Sequence, residues 1–278
     1  MPKGKSNNHT RSEAVSKVSA PQNPGNSVFE NGIISTLYQY DFNIPSDVLN
    51  TILELPRESL IRDLRKVLSD SIERYDYFFR DKSLTENETF FAAHAFFIIG
   101  EKELIEMLPD IHTVLDQQEE YNDFYFGYIG TEFIWMTLYK LCISNISILF
   151  DLLKAPLIDL TQKFNINLTL QQLYYHNPDL QKAITLGYKK LTPFILKHHK
   201  SKTIFDTDTV SDIVCAMGET AMGELDQEIR QLYAAGLVEI SFAGTYESLI
   251  RDSRLELPLK INVLNIHALY AVIKTWDD

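Results

Sequence analysis

From Pro56 onward the apolar residues Leu60, Ile61, Leu64, Val67, Leu68, Ile72, Tyr75, Phe78 and Phe79 recur at steps of three and four, with Arg62, Asp63, Arg65, Lys66 and Asp70 between them. That spacing puts one apolar stripe on a 3.6-residue turn and predicts an amphipathic helix. Pro56 suits its first turn, where a missing N–H costs little, and Glu58 complements the positive end of the dipole. Thr85-Glu86-Asn87-Glu88 has capping-box spacing, and residues 90–99 are apolar nearly all round, which predicts a helix enclosed by neighbours. Gly100 is expected to close that helix in the left-handed conformation. Residues 101–115 place Leu104, Ile105, Leu108, Ile111 and Leu115 on one face, with Pro109 predicted to kink or split the element.

Further helical segments are expected at 131–141, 146–153, 157–164 and 180–196, and residues 209–217 are expected to pair with 224–235 as a hairpin. In the last of these Leu225, Ile229, Leu232 and Tyr233 face inward, and Gly236 can take the positive φ that ends it. The repeated Met-Gly-Glu of 217–224 reads as the tight link of that hairpin, and 126–130 as a loop before a helix. Strand-like alternation is scarce. Only 33–40 and 257–266 would tolerate an extended form, and either could instead be a short helix. The predicted fold is therefore all-α, an α-α superhelix of HEAT-like antiparallel hairpins spaced by about forty residues. Residues 1–28 form a disordered polar tail, 29–255 the helical-repeat domain, and 256–278 a C-terminal segment packed on it or extending it.

Composition supports one well-cored body. Of 278 residues 45% are hydrophobic and 23% charged, near the globular average, so neither wholesale disorder nor a fibrous repeat fits. The tail carries Lys3, Lys5, Arg11 and Lys17 against Glu13, a local +3, which leaves −15 on the rest of a chain of net charge −12. A field of that sign disfavours nonspecific attraction to nucleic acid or anionic membrane. Cys142 and Cys215 lie far apart and outside any CxxC pair, which argues against a disulfide framework and for a reducing compartment. No apolar run is long enough to span a bilayer. A cytoplasmic location is the expectation.

Three stretches resemble a known family. Leu55-Pro56-Arg57-Glu58-Ser59-Leu60, the segment carrying His94-Ala95-Phe96-Phe97-Ile98, and Glu228-Ile229-Arg230-Gln231-Leu232-Tyr233-Ala234-Ala235-Gly236-Leu237-Val238 together resemble the bacterial domain-of-unknown-function family 1186. The resemblance covers residues 49–253 and implies a HEAT-like helical repeat protein without assigned activity. Some members carry a Cys-rich SEC-C zinc motif at the C-terminus. This chain has no cysteine there, so no zinc tail is implied.

Reactive motifs are missing from the linear pattern. No two histidines sit at the i, i+4 spacing of a helical metal pair with a glutamate base between, and no nucleophile elbow, Walker loop, dinucleotide fingerprint or kinase set occurs. No catalytic set, metal site or cofactor is expected. Were the chain an enzyme, its residues would have to converge from separate helices, with His94, Glu132 and Cys215 as the candidates. His94 reads first as a satisfied buried histidine, and Cys215 as a small core residue. One charge feature stands apart. Lys182, Lys189, Lys190, Lys197, Lys200 and Lys202, with His198 and His199, occupy 180–205 without an acidic residue. Late-helix lysines complement the dipole, and the same strip can dock an acidic partner or an anionic ligand. The functional reading is a non-catalytic module binding a protein or peptide, with Lys182, Lys189, Lys190, Lys197, His198 and Lys200 as its candidate contacts. Nucleic acid is a less favoured partner, and membrane insertion is not expected.

Overall fold

The computed structural model describes residues 28–80, 89–200, 204–255 and 259–275, and every regular element among them is a helix. A 3-10 turn at Gly32–Tyr38 precedes α1 (Ser46–Leu53), α2 (Arg57–Glu73), α3 (Tyr75–Arg80) and α4 (Phe91–Glu101). A second 3-10 turn, Ile105–Met107, leads into α5 (Leu108–Leu115), α6 (Glu119–Tyr125), α7 (Gly127–Cys142), α8 (Ser147–Leu153) and α9 (Leu160–His176). Then come α10 (Pro178–His198), α11 (Thr207–Ala234), α12 (Ile240–Ala243), α13 (Tyr246–Leu255) and α14 (Ile266–Lys274). The predicted all-α class is the observed one. Both stretches that could have been extended lack a strand: 33–40 is mostly the first 3-10 turn, and 259–265 is irregular chain leading to α14. Apart from Val28, the N-terminal tail lies outside the described residues, as do the capping box and Lys202.

Packing follows a succession of neighbours. α2 lies on α4, α4 on α7, α7 on α9 and α9 on α11, with α8 and α10 alongside α9 and α10 also against α11. α4 is buried on all sides from Phe91 to Gly100, as its apolar circumference requires. α9 is equally central but carries Gln162, Lys163, Asn165, Asn167, Thr169 and Gln172 inward. Several of those groups find partners: Asn165 donates to the Gly130 carbonyl at 2.8 Å, Asn167 to Asp212 at 2.7 Å and Gln172 to the Leu259 carbonyl at 2.9 Å, while the side-chain oxygens of Gln162 and Asn165 accept no bond among the described residues. The C-terminal segment belongs to the same body. α14 buries Ile266, Leu269, Tyr270 and Ile273, and Ile266 N–H donates to Glu101 at 3.1 Å.

Several local expectations are corrected. Gly100 does not end its helix. The left-handed residue is Glu103 (φ 48), with Leu104 N–H bonded to the Ile99 carbonyl at 3.0 Å and Glu103 N–H to that of Gly100 at 3.1 Å. Gly100 instead lets α4 touch α7, since a Cβ there would fall 2.7 Å from Thr137 Oγ1 and 3.0 Å from Thr137 Cα. Gly100→Ala is therefore expected to cost about 1–2 kcal/mol, the overpacking penalty less alanine's better helix propensity, and urea denaturation measures it. A midpoint equal to the parent's would remove this contact from the account.

Pro56 caps α2 from the position before its first turn (φ −57, ψ 132), whereas the 101–115 segment is split as expected, with Pro109 in the first turn of α5. The predicted helix from Pro56 breaks at Arg74 into α2 and α3. Residues 127–130 are already helical, entered through Gly127 at φ 43. At the expected hairpin link, 217–224, two helical stretches within Thr207–Ala234 meet at a kink, where Ala221 is out of helical conformation (φ −139, ψ 40). Gly236 does sit at φ 66, with Leu237 N–H bonded to the Leu232 carbonyl at 3.2 Å and its own N–H to that of Tyr233 at 3.0 Å, the two bonds of a Schellman close.

Candidate functional site

α10 starts at Pro178 with Asp179 in its first turn and ends with Lys197 and His198 in its last, both in the sense the dipole favours. Ile184, Thr185, Tyr188, Leu191, Thr192 and Ile195 form its buried face. Steps of four, three, four and four then leave Lys182, Leu186, Lys189, Pro193 and Lys197 in one exposed stripe, with Lys190 beside it and Lys200 just past its end. From Lys182 to Lys197 the stripe runs about 22 Å at a 1.5 Å rise per residue. Leu186, 50% exposed, and Pro193 give it apolar ground between the ammonium groups.

These lysines differ from the arginines in how they are paired. Every arginine whose side chain is described has a carboxylate within 4.0 Å, from Arg57 with Glu106 to Arg251 with Asp252. Among the described residues no carboxylate pairs with Lys182, Lys189, Lys190, Lys197 or Lys200. The structure thus brings the predicted binding residues onto one face. His198 is the exception in kind: it is half-buried and stacks on Phe194 with ring centres 4.3 Å apart, so it packs the helix end rather than joining the stripe.

Phe194 connects this face to a cavity. Its ring lies 6.0 Å from Phe205, and Phe205, His199, Asp206, Thr207, Val210 and Leu237 enclose about 280 Å³ between the end of α10, the start of α11 and the chain after Gly236. The polar groups here already serve the helix ends. His199 Nδ1–H donates to the Leu196 carbonyl at 2.7 Å, and Asp206 caps α11 by accepting Thr209 N–H at 2.7 Å. The walls are braced from outside. Glu239 N–H donates to Ser211 Oγ at 2.7 Å, and Lys163, only 3% exposed, donates to the Ile204 carbonyl with its ammonium 5.3 Å from the Phe205 ring centre. Burial pushes the Lys163 pKa down, while the Asp206 and Asp159 carboxylates act in the opposite direction. Another cavity, of about 400 Å³, has its polar groups satisfied among themselves, with Arg230 and Tyr246 both donating to Asp226.

Neither a family model, nor a curated protein, nor a solved structure matches this chain.

The three catalytic candidates are not brought together. His94 is fully buried between Tyr270 and the Tyr40 carbonyl, Glu132 is exposed on α7, and Cys215 is half-buried on α11, where burial pushes its thiol up to about 12. Among the described residues no three of His, Cys, Asp and Glu cluster to hold a metal ion, and no helix is long and apolar enough to cross a membrane. Sequence reasoning did not find the cavity or Lys163. Nothing in the linear pattern singles out Phe205, Val210 or Leu237 as a group, and the one usable trace is a lysine inside the helical segment that opens α9.

Proposed function

We propose that this chain is a non-catalytic binding module, a HEAT-like helical stack of the cytoplasm whose α10 face holds an acidic segment of a partner protein. The carrying observation is the row of exposed, unpaired lysines on a body that is otherwise strongly acidic and pairs its arginines internally. A self-paired surface offers an incoming carboxylate nothing new. Free ammonium groups at helical spacing offer it attraction without first breaking an internal bridge. The resemblance to family 1186 and the succession α2, α4, α7, α9, α11 support a stacked, surface-presenting role. The negative body works against a nucleic-acid ligand, whose whole backbone it would repel.

The test uses a fluorescein-labelled glutamate-rich peptide, titrated with the full chain by anisotropy at low and at physiological salt. Reversing Lys189, Lys190, Lys197 and Lys200 to glutamate is expected to weaken binding at least tenfold and to remove its salt dependence, with the helical circular dichroism unchanged. Equal affinity of parent and variant, or tighter binding of a DNA oligonucleotide than of the peptide, would overturn the reading.

A further inference from the structure

The cavity at the C-terminal end of α10 has no part in the reading above: His199 continues the row of Ile195, so the cavity opens at the helix end, around from the lysine stripe. His199 lines it and the exposed Lys200 follows at one residue's distance, about 3.8 Å between Cα atoms, so a chain lying along the stripe reaches the cavity by turning over the end of α10 at Lys200. Phe205, Val210 and Leu237 make an apolar interior, and the bonds at Lys163, Asp206 and Ser211 hold its walls in place before any ligand arrives. Its volume of about 280 Å³ falls below the range of about 300–1,000 Å³ in which drug-sized ligands bind, and suits one large apolar side chain. Beyond Leu237 the apolar ground continues outward, since Ile240 is 58% and Phe242 49% exposed, with the Phe242 ring 6.1 Å from that of Phe164.

We propose that this cavity is an anchor pocket: it receives a phenylalanine or leucine side chain from the acidic segment whose carboxylates lie along Lys182, Lys189, Lys190, Lys197 and Lys200. The proposal rests on the basic-face reading and adds what that reading leaves open, the sequence character of the partner. Charge along α10 recruits any acidic chain and sets the encounter rate, but exposed ion pairs contribute little lasting affinity. A preformed apolar pocket at one end supplies both affinity and register, because one large side chain buried there leaves water, a gain that polyanions without such a side chain forgo. The partner is thus a segment with carboxylates spread over about 20 Å and an aromatic or large aliphatic residue at one end.

Two labelled acidic peptides, identical except that a terminal-third phenylalanine in one is serine in the other, separate the two ideas. The full chain is expected to bind the phenylalanine peptide at least tenfold more tightly, and Thr207→Trp, which fills the pocket from its exposed rim, to erase that preference while leaving the serine peptide's affinity unchanged. Equal binding of the two peptides by the parent chain overturns the pocket and leaves the basic face standing. Binding of neither overturns both. A preference that survives in Thr207→Trp places the apolar contact elsewhere and overturns the pocket. Should that variant not fold, nuclear Overhauser contacts between the peptide's ring protons and the methyls of Val210 and Leu237 in the parent chain decide the matter, their absence counting against the pocket.

Discussion

Truncating His94 to alanine is expected to destabilise the fold by about 4 kcal/mol, as read from urea denaturation at pH 8. The imidazole is wholly buried against Phe42 and Tyr270 and joins three distant parts of the chain. Its Nε2 lies 3.1 Å from the Tyr40 carbonyl, which can only accept, so Nε2 carries the proton. Nδ1 must then accept from the Tyr270 hydroxyl at 2.7 Å. Alanine leaves both of those buried groups without a partner, at about 1–3 kcal/mol each, and opens a cavity besides. The same geometry makes His94 a source of acid sensitivity. Burial pulls its pKa down to about 4 from an ordinary 6.5, so between those values the unfolded chain binds a proton that the native chain refuses. The stability this group contributes is complete above pH 6.5 and is lost as pH falls toward 4, a swing of about 3 kcal/mol. His94→Gln, which cannot titrate, should show a stability deficit at pH 8 that shrinks by pH 5. A deficit of constant size across that interval would mean that His94 is not held neutral.

The second large effect runs the other way. Asp212→Asn is expected to stabilise the protein by about 2 kcal/mol above pH 7. Asp212 on α11 accepts from Asn167 on α9 at 2.7 Å, and Asn167 in turn accepts from the Tyr188 hydroxyl on α10 at 2.9 Å, so one chain of bonds ties three helices. Burial raises the Asp212 pKa to about 7 from 3.8. The bond from Asn167 opposes that rise, and the Glu219 carboxylate adds to it. Cys215 stands close enough for the charge on Asp212 to raise its thiol further. The native chain here binds more protons than the unfolded one, so this group's penalty is absent below about pH 4, grows through the interval and is complete above 7. Asparagine keeps the acceptor for Asn167 and removes the charge from this half-buried position, and part of the gain is offset by its additional amide donor. Chemical denaturation of parent and variant at pH 5 and pH 8 measures this. A variant no more stable than the parent at pH 8 would show that the carboxylate is already solvated. Since His94 and Asp212 act with opposite sign over nearly the same interval, each variant should also uncover the other's pH dependence.

The limits of reading this chain linearly are clearest in α9. Its second half, Asn165-Ile166-Asn167-Leu168-Thr169-Leu170-Gln171-Gln172, mixes polar and apolar residues without a stripe, so the predicted helix stopped at 164. The helix continues because its amides meet carbonyls and a carboxylate supplied by α7, α11 and the C-terminal segment. None of those partners is visible in a local window. Gly100 shows the same limit in reverse. A glycine near a helix end was read as a turn, whereas its place is set by the approach of Thr137 from α7. Gly236 was legible because its task is local: positive φ after a periodic segment requires nothing from elsewhere.

The candidate site divides along the same line. Helical spacing was enough to put Lys182, Lys189, Lys190 and Lys197 on one solvent face, because residues three and four apart share a side of any α-helix whatever surrounds it. Whether those ammonium groups would be neutralised depended on where every carboxylate came to rest, and the cavity at their end required Phe205, Val210 and Leu237 to meet across more than thirty residues of intervening chain. Periodicity carries the direction of a side chain relative to its own helix, whereas contact between helices arises only when the chain is closed into three dimensions.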